Sequence, residues 1–425
     1  MNPTGDDIQG ALQALGAFED ILGQAETVTV EPLCRVNTHI HLPPNFSAFD
    51  TIDQAVQLAA EQGVKLLGAG NYYDYSVYRT FTEASNRHGI FSLYGTEIIA
   101  LDQKLKALNV RVNDPGNPGK TYLCGKGLSQ FTAMTEKATA LLQKIRQNDQ
   151  HRMAEMVTRI ANHFEQRRFA TGMTEQKAID RIVQRHQCDP ETVVLQERHV
   201  AQVFQEVLFE KAPSEDRAAV LTQLFDALPQ IDVNDPVAVQ NTLRSALMKA
   251  GKPCYVPETF VSPDEAVSLI LELGGIPCYP IVADMVDPFT EFESPIENLI
   301  RTLKGRGFHM IEFITIRNSI GVLDDYVKKL RQAGFVISAG TEHNTLDLIP
   351  IDPLCKGGQP VPDDLREIFW EGACVVVAHQ WIQAWGRCGF VDGDGQPNPG
   401  FADDESRIQT FARIGQAVLQ RFFKQ

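Results

Sequence analysis

The residues with the clearest chemical potential are the two histidines of Thr38-His39-Ile40-His41, directly behind the apolar segment Pro32–Val36. Strand side chains repeat every second residue, so a His-x-His pair at a strand end turns both imidazoles to one face. Two neutral imidazoles that converge are a common start to a metal site. The pair is equally compatible with strand-end histidines hydrogen-bonded to their neighbours. Partners elsewhere in the chain must decide between these two readings.

The elements that would position such a pair follow from hydrophobic patterning. Cys34–Thr38, Val64–Gly68, Phe91–Tyr94, Ile276–Val282, Met310–Ile316 and Phe335–Ala339 read as strands, and Cys374–Ala378 as a further apolar run of strand length. Between them, Thr51–Gln62, Ser76–His88, Pro295–Gly305 and Val322–Ala333 carry helical spacing. Ser262-Pro263-Asp264 is an N-cap with proline at the first helical position, opening a helix to Leu273. Ile8–Leu22 predicts one N-terminal helix, and Ser406–Phe423 a closing amphipathic helix. Strands that alternate with amphipathic helices imply parallel βαβ units. The middle differs: it is rich in Gln, Glu, Arg and Ala, with helical periodicity throughout. The expected organisation is an α/β barrel in two parts, 31–129 and 259–425. Residues 1–30 would pack on it as an N-terminal helix, and 130–258 would form a mainly helical insertion.

The whole chain sets outer limits. At 425 residues it suits one barrel of roughly 250 residues plus a large insertion. A formal net charge of -15 argues against a long nucleic-acid partner, because phosphate binding needs concentrated Lys and Arg. No apolar run is long enough to span a bilayer, and the start of the chain, with Asp6 and Asp7, does not resemble a signal peptide. The eight cysteines are scattered, without a C-x-x-C pair, which fits a reduced, cytoplasmic setting.

In a β/α barrel, working residues gather at the C-terminal ends of strands. Taken in turn, those ends offer His39 and His41, then Asn71-Tyr72-Tyr73-Asp74, then Glu97. Later ends offer Tyr279 with Asp284 and Asp287, Arg317-Asn318, and Glu342-His343-Asn344. Histidines and carboxylates at successive strand ends form a metal-site constellation, although each alone has a structural explanation as cap or turn. Lys120 and Lys126 read as part of a glycine-containing loop, either a plain turn or an anion holder. Tyr72, Tyr73, Tyr75 and Tyr78 suit a stacking wall or ordinary packing. His379 is a weaker candidate at the end of the Cys374–Ala378 run, while His163, His186 and His309 lack partners by spacing.

The series of motifs resembles the polymerase and histidinol phosphatase (PHP) superfamily, most nearly its stand-alone phosphoesterases. The resemblance runs from about residue 33 to 345. It is carried in order by His39-Ile40-His41, Gly95-Thr96-Glu97-Ile98, Arg198-His199-Val200-Ala201 and Gly251-Lys252-Pro253-Cys254-Tyr255-Val256-Pro257. Ser262-Pro263-Asp264-Glu265-Ala266, Gly274-Gly275-Ile276-Pro277, Gly307-Phe308 through Glu312, and Gly340-Thr341-Glu342-His343 continue it. The resemblance implies a distorted β/α barrel of about seven strands with a helical insertion, and a cluster of two or three divalent metals. The chain also departs from the family. Asn71-Tyr72 stands where the family has Asp-His, Tyr279 where it has His, and Asn344 at the last His position.

Only the family's first metal position keeps its donors, so the resemblance implies one divalent ion, Zn, Mn or Fe, on His39, His41, Glu97 and Glu342. His343 is then the expected ligand or general base, with Asp74 a second catalytic candidate. Arg198, His199, Arg317, Asn71 and Tyr72 would contact substrate. The expected activity is PHP-like, phosphoesterase-type hydrolysis of a small polar, phosphorylated or acidic molecule, with a homo-oligomer open. Metal-assisted isomerisation or other carbonyl chemistry on a sugar acid, and an inactive barrel serving in binding or regulation, are the alternatives.

Overall fold

A seven-stranded sheet, curled until its first and last strands meet, organises the molecule. The computed structural model describes residues 6–424. The strands are β1 (Arg35–Ile40), β2 (Val64–Ala69), β3 (Phe91–Leu101), β4 (Lys120–Lys126), β5 (Ile276–Ile281), β6 (Met310–Ile314) and β7 (Val336–Gly340), neighbours in chain order. A parallel bridge from Ile40 to Glu342 nearly closes the barrel. The fold is therefore a distorted β/α barrel.

The sheet is mixed rather than wholly parallel. β4 runs antiparallel to both β3 and β5, while the other pairs are parallel. This corrects the loop reading of Lys120 and Lys126: both lie on β4, where the flanking glycines obscured a short strand signal. β3 is also longer than its expected four residues and carries Glu97 within its ladder.

Helices Ile52–Glu61, Val77–Arg87, Pro263–Glu272, Ile296–Gly305 and Ile320–Gln332 surround the sheet. Their starts are set locally. Ser262 accepts from Glu265 N while the Glu265 carboxylate accepts from Ser262 N, a reciprocal cap on the helix that leads into β5. Leu66, Leu93, Cys124, Cys278, Met310 and Val336, one from most strands, share a buried cluster with the helices Asp363–Ala384 and Asp404–Phe422.

The Cys374–Ala378 run is not a strand but the middle of Asp363–Ala384. That helix is buried almost all round, so its β-branched residues lose the 3.6-residue alternation that marks a surface helix. Close approach makes the burial possible. A Cβ on Gly372 would fall 1.9 Å from Ile337 O, and one on Gly415 1.9 Å from Cys374 O. The N-terminal helix is also divided, into Asp6–Gln13 and Phe18–Ala25.

Between β4 and β5 the chain forms Glu136–Gln166, Glu175–His186, Glu197–Lys211, Arg217–Phe225 and Pro236–Leu243, ending in a π turn at Arg244–Met248. These helices bury their own cluster, including Met156, Ile160, Phe164, Phe204 and Leu208. The same helices also contribute charged residues, among them Arg152, Glu197 and Arg198, to a cavity at the barrel mouth.

Candidate metal centre

β1 delivers His39 and His41 to the same end of the barrel, and β3 brings Glu97 to them. His41 Nε2 lies 2.9 Å from Glu97 Oε2, and His39 Nε2 lies 3.6 Å from that oxygen. All three side chains are almost completely buried. Neither contact has hydrogen-bond geometry, so His39 Nε2, both nitrogens of His41 and Glu97 Oε2 are buried without a hydrogen-bond partner. Leaving such atoms unpaired costs roughly 1–3 kcal/mol each. The three side chains offer donor atoms within 4.8 Å of one another. A divalent cation would satisfy all three at once, and an N₂O donor set is one that Zn, Fe or Mn accepts.

The shell behind these donors was not expected. Glu312 on β6 accepts at 2.7 Å from His39 Nδ1, leaving Nε2 as the free donor atom. Lys126 Nζ lies 2.5 Å from the other Glu312 oxygen and 3.1 Å from Thr38 O. Burial works against charge on Glu312, but Lys126 and His39 outweigh it and hold the carboxyl down at about 2. Glu312 was visible as the lone carboxylate in the apolar strand Met310–Ile314, a position that calls for a buried partner. On the other side, the Tyr72 ring stacks on His41 at 5.0 Å, with 6° between the planes.

Glycines make room for the first histidine. A Cβ on Gly70 would fall 2.6 Å from His39 Nε2, and one on Gly340 2.4 Å from His39 Cβ.

Glu342 stands next to this cluster but faces elsewhere. Its carboxylate accepts from both terminal nitrogens of Arg317, Nη1 at 2.9 Å, and from Asn344 Nδ2 at 2.6 Å. Burial opposes its charge, but Arg317 overrides this and holds the carboxyl below the usual range. The backbone fixes the arrangement: Glu342 and His343 sit at φ 60° and 53°, left-handed values that cost a non-glycine residue about 1–2 kcal/mol. Glu342 N donates to His39 O, and Glu342 O accepts from His41 N.

A cavity of about 700 Å³ opens in front, lined by Tyr72, Glu97, Arg317, Glu342 and Asn344 from the barrel side. From β4 and the insertion it is lined by Lys120, Arg152, Arg198, Arg244 and Lys249, with Asp114, Asp149 and Glu197 among them. Glu197 binds Arg152 at 2.7 Å and Lys249 at 2.6 Å, and Lys120 pairs with Asp114 at 3.0 Å. Arg198 pairs with no carboxylate among the described residues; it lies over the Phe46 ring. Burial, and then the neighbouring Arg244, pull its guanidinium down to about 10. Burial pushes the Asp149 carboxyl up to about 7.

Other expected residues do different work. His343 gives Nδ1 to a 2.7 Å contact with Thr341 Oγ1 and Nε2 to a 2.9 Å contact with Ile349 O, so both nitrogens are engaged away from the donor cluster. Asp74 pairs with Arg146 at 3.2 Å and does not line the cavity. His199 is buried against Phe46, its Nδ1 accepting from Gln196 N at 3.2 Å. Asn71 exchanges two 2.8 Å hydrogen bonds with the Leu42 backbone, a scaffold for the β1 end. Tyr279 donates to Glu293 at 2.8 Å and packs on Phe308, outside the cavity. His379, on the helix Asp363–Ala384, reaches Gly274 O through Nε2 at 2.9 Å and accepts from Phe390 N at Nδ1.

No protein-family model and no curated protein matches the chain. Among solved structures, it resembles a proposed metal-dependent phosphoesterase from Bifidobacterium adolescentis. The TM-score is 0.52 at 15% identity, over 79% of this chain and 96% of that one. An amidohydrolase from Chromobacterium violaceum matches with TM-score 0.49 and 18% identity, over 76% and 93% of the two chains. The likeness to the first of these is one of fold, a distorted β/α barrel.

In this barrel, the positions at which the sequence departs from the motif series it resembles have partners of their own. Asn71 ties the backbone and Asn344 steadies Glu342. Of the four expected metal ligands, His39, His41 and Glu97 have atoms without partners, whereas both oxygens of Glu342 are engaged.

Proposed function

We propose that the protein is a metal-dependent hydrolase that holds one divalent ion on His39, His41 and Glu97. Its substrate would be a small phosphorylated or otherwise acidic molecule. The observation that carries this reading is the convergence of buried, unpartnered donor atoms on three side chains, two from the end of β1 and one from within β3, beside a cavity rich in cations. A divalent ion there would supply a water acidic enough to ionise near neutral pH and a charge to offset a substrate oxygen. Glu312 keeps His39 in the tautomer with a free Nε2, and Tyr72 keeps the His41 ring in plane. Arg198, without a carboxylate of its own, receives the substrate anion, and the insertion screens that contact from bulk water.

Protein purified without chelator is expected to contain about one divalent ion per chain by elemental analysis. It should turn over p-nitrophenyl phosphate or a nucleotide bisphosphate with added Mn, and His39→Ala should abolish both metal and turnover. Absence of metal, with none taken up on titration, would overturn the reading.

A further inference from the structure

The acid expected as fourth ligand is instead clamped by a cation the chain carries itself. Arg317 closes the turn Thr315–Arg317 after β6, and that turn is braced from two sides. Thr315 Oγ1 donates to Leu354 O at 2.7 Å, and Asn318 Nδ2 donates to Val282 O at 2.8 Å. Its two terminal nitrogens meet the two oxygens of Glu342, the fork geometry that suits a guanidinium. Asn344 Nδ2 occupies one of those oxygens as well. Glu342 therefore has both oxygens engaged, whereas Glu97, His39 and His41 have atoms without partners. The strained φ values at Glu342 and His343 show that this orientation is imposed by the backbone rather than adopted by default.

We infer that Arg317 acts as a built-in cation that takes Glu342 out of the metal's ligand set, so that one of the positive charges beside the donor cluster is covalent. Arg317 is thus a positioning residue. It sets the metal at three protein ligands, and its remaining N–H groups border the cavity in which the substrate anion would lie. This rests on the metal site proposed above. It adds a sign that a merely structural arginine does not share: loss of Arg317 should tighten metal binding, because a carboxylate is released toward the ion and a repelling charge is removed.

The test is Zn and Mn affinity, measured by competition with a chromophoric chelator on the full chain. The proteins compared are the wild type, Arg317→Ala, Arg317→Lys and the double variant Arg317→Ala/Glu342→Gln, with folding checked by circular dichroism. Arg317→Ala is expected to bind roughly tenfold or more tightly, the scale of change that outer ligand partners exert. Arg317→Lys should stay near wild type, and Glu342→Gln should cancel the gain. Unchanged or weaker binding in folded Arg317→Ala, with wild type still binding one ion, would overturn the inference and leave the metal site standing. Binding by Arg317→Ala but not by wild type would overturn the metal-loaded native enzyme and support the clamp. Absence of binding in both would overturn both.

Discussion

The chemistry of the site turns on which polar atoms are satisfied and which are not. Glu312 and Lys126 settle each other, Arg317 settles Glu342, and His39, His41 and Glu97 are left facing one another. At the cavity wall the same logic gives a pH effect. Burial raises the Asp149 carboxyl to about 7, so it is protonated below that pH and adds a negative charge above it. An acid whose folded pKa is raised gives the native state its excess of bound protons between the ordinary carboxylate range and about 7, and stability declines as pH rises across that window. Anionic substrate should bind more weakly over the same rise. The expected result is a KM that climbs as pH passes about 7 in the wild type and a flatter profile in Asp149→Asn, measured by steady-state kinetics.

Single strands and turns carry the precision. β1 and β7 meet through backbone bonds at His39, His41 and Glu342, so the ring of His39 is seated where two glycines approach it. Gly70→Ala would set a methyl carbon 2.6 Å from His39 Nε2, in the space a ligand of that nitrogen needs. Overpacking of this kind costs about 1–3 kcal/mol and should displace the ring. Urea unfolding is expected to show that loss, and chelator competition a weaker metal site. Gly23→Ala, on the helix Phe18–Ala25 with open space at its Cβ, serves as the control: it should leave metal affinity unchanged and raise stability slightly, by about 0.5–1 kcal/mol.

Across the whole molecule, an acidic chain surrounds a mouth where cations gather. The insertion supplies Arg152, Arg198, Arg244 and Lys249, and the barrel Lys120 and Arg317. Glu197 ties the insertion's start to its end by holding Arg152 and Lys249 together. Burial raises its carboxyl, but Lys249, Arg152 and Lys120 together hold it well below the usual range. A depressed acid contributes stability that is complete above the ordinary carboxylate pKa of about 4.5 and is lost as pH falls toward its folded value. Glu197→Gln should therefore lower stability by roughly 1–3 kcal/mol at neutral pH. The gap to wild type should shrink in urea melts taken at increasingly acid pH. No helix is long and apolar enough to cross a membrane among the described residues.

The sequence by itself determined the alternating strands and helices, the His39–His41 pair and its partner Glu97, because period-two patterning and motif order are local properties. It did not reveal β4, where glycines mask a strand, or the helix Asp363–Ala384, where complete burial erases periodicity. The tertiary structure alone decided the partners. Glu342, His343, Asp74 and Asn71 are chemically able to ligate or catalyse, yet each is engaged by a residue distant in sequence or by a strained turn that no local pattern announces. A side chain's type sets what it can bind. Which atoms remain free to bind anything is settled only when the chain has closed around it.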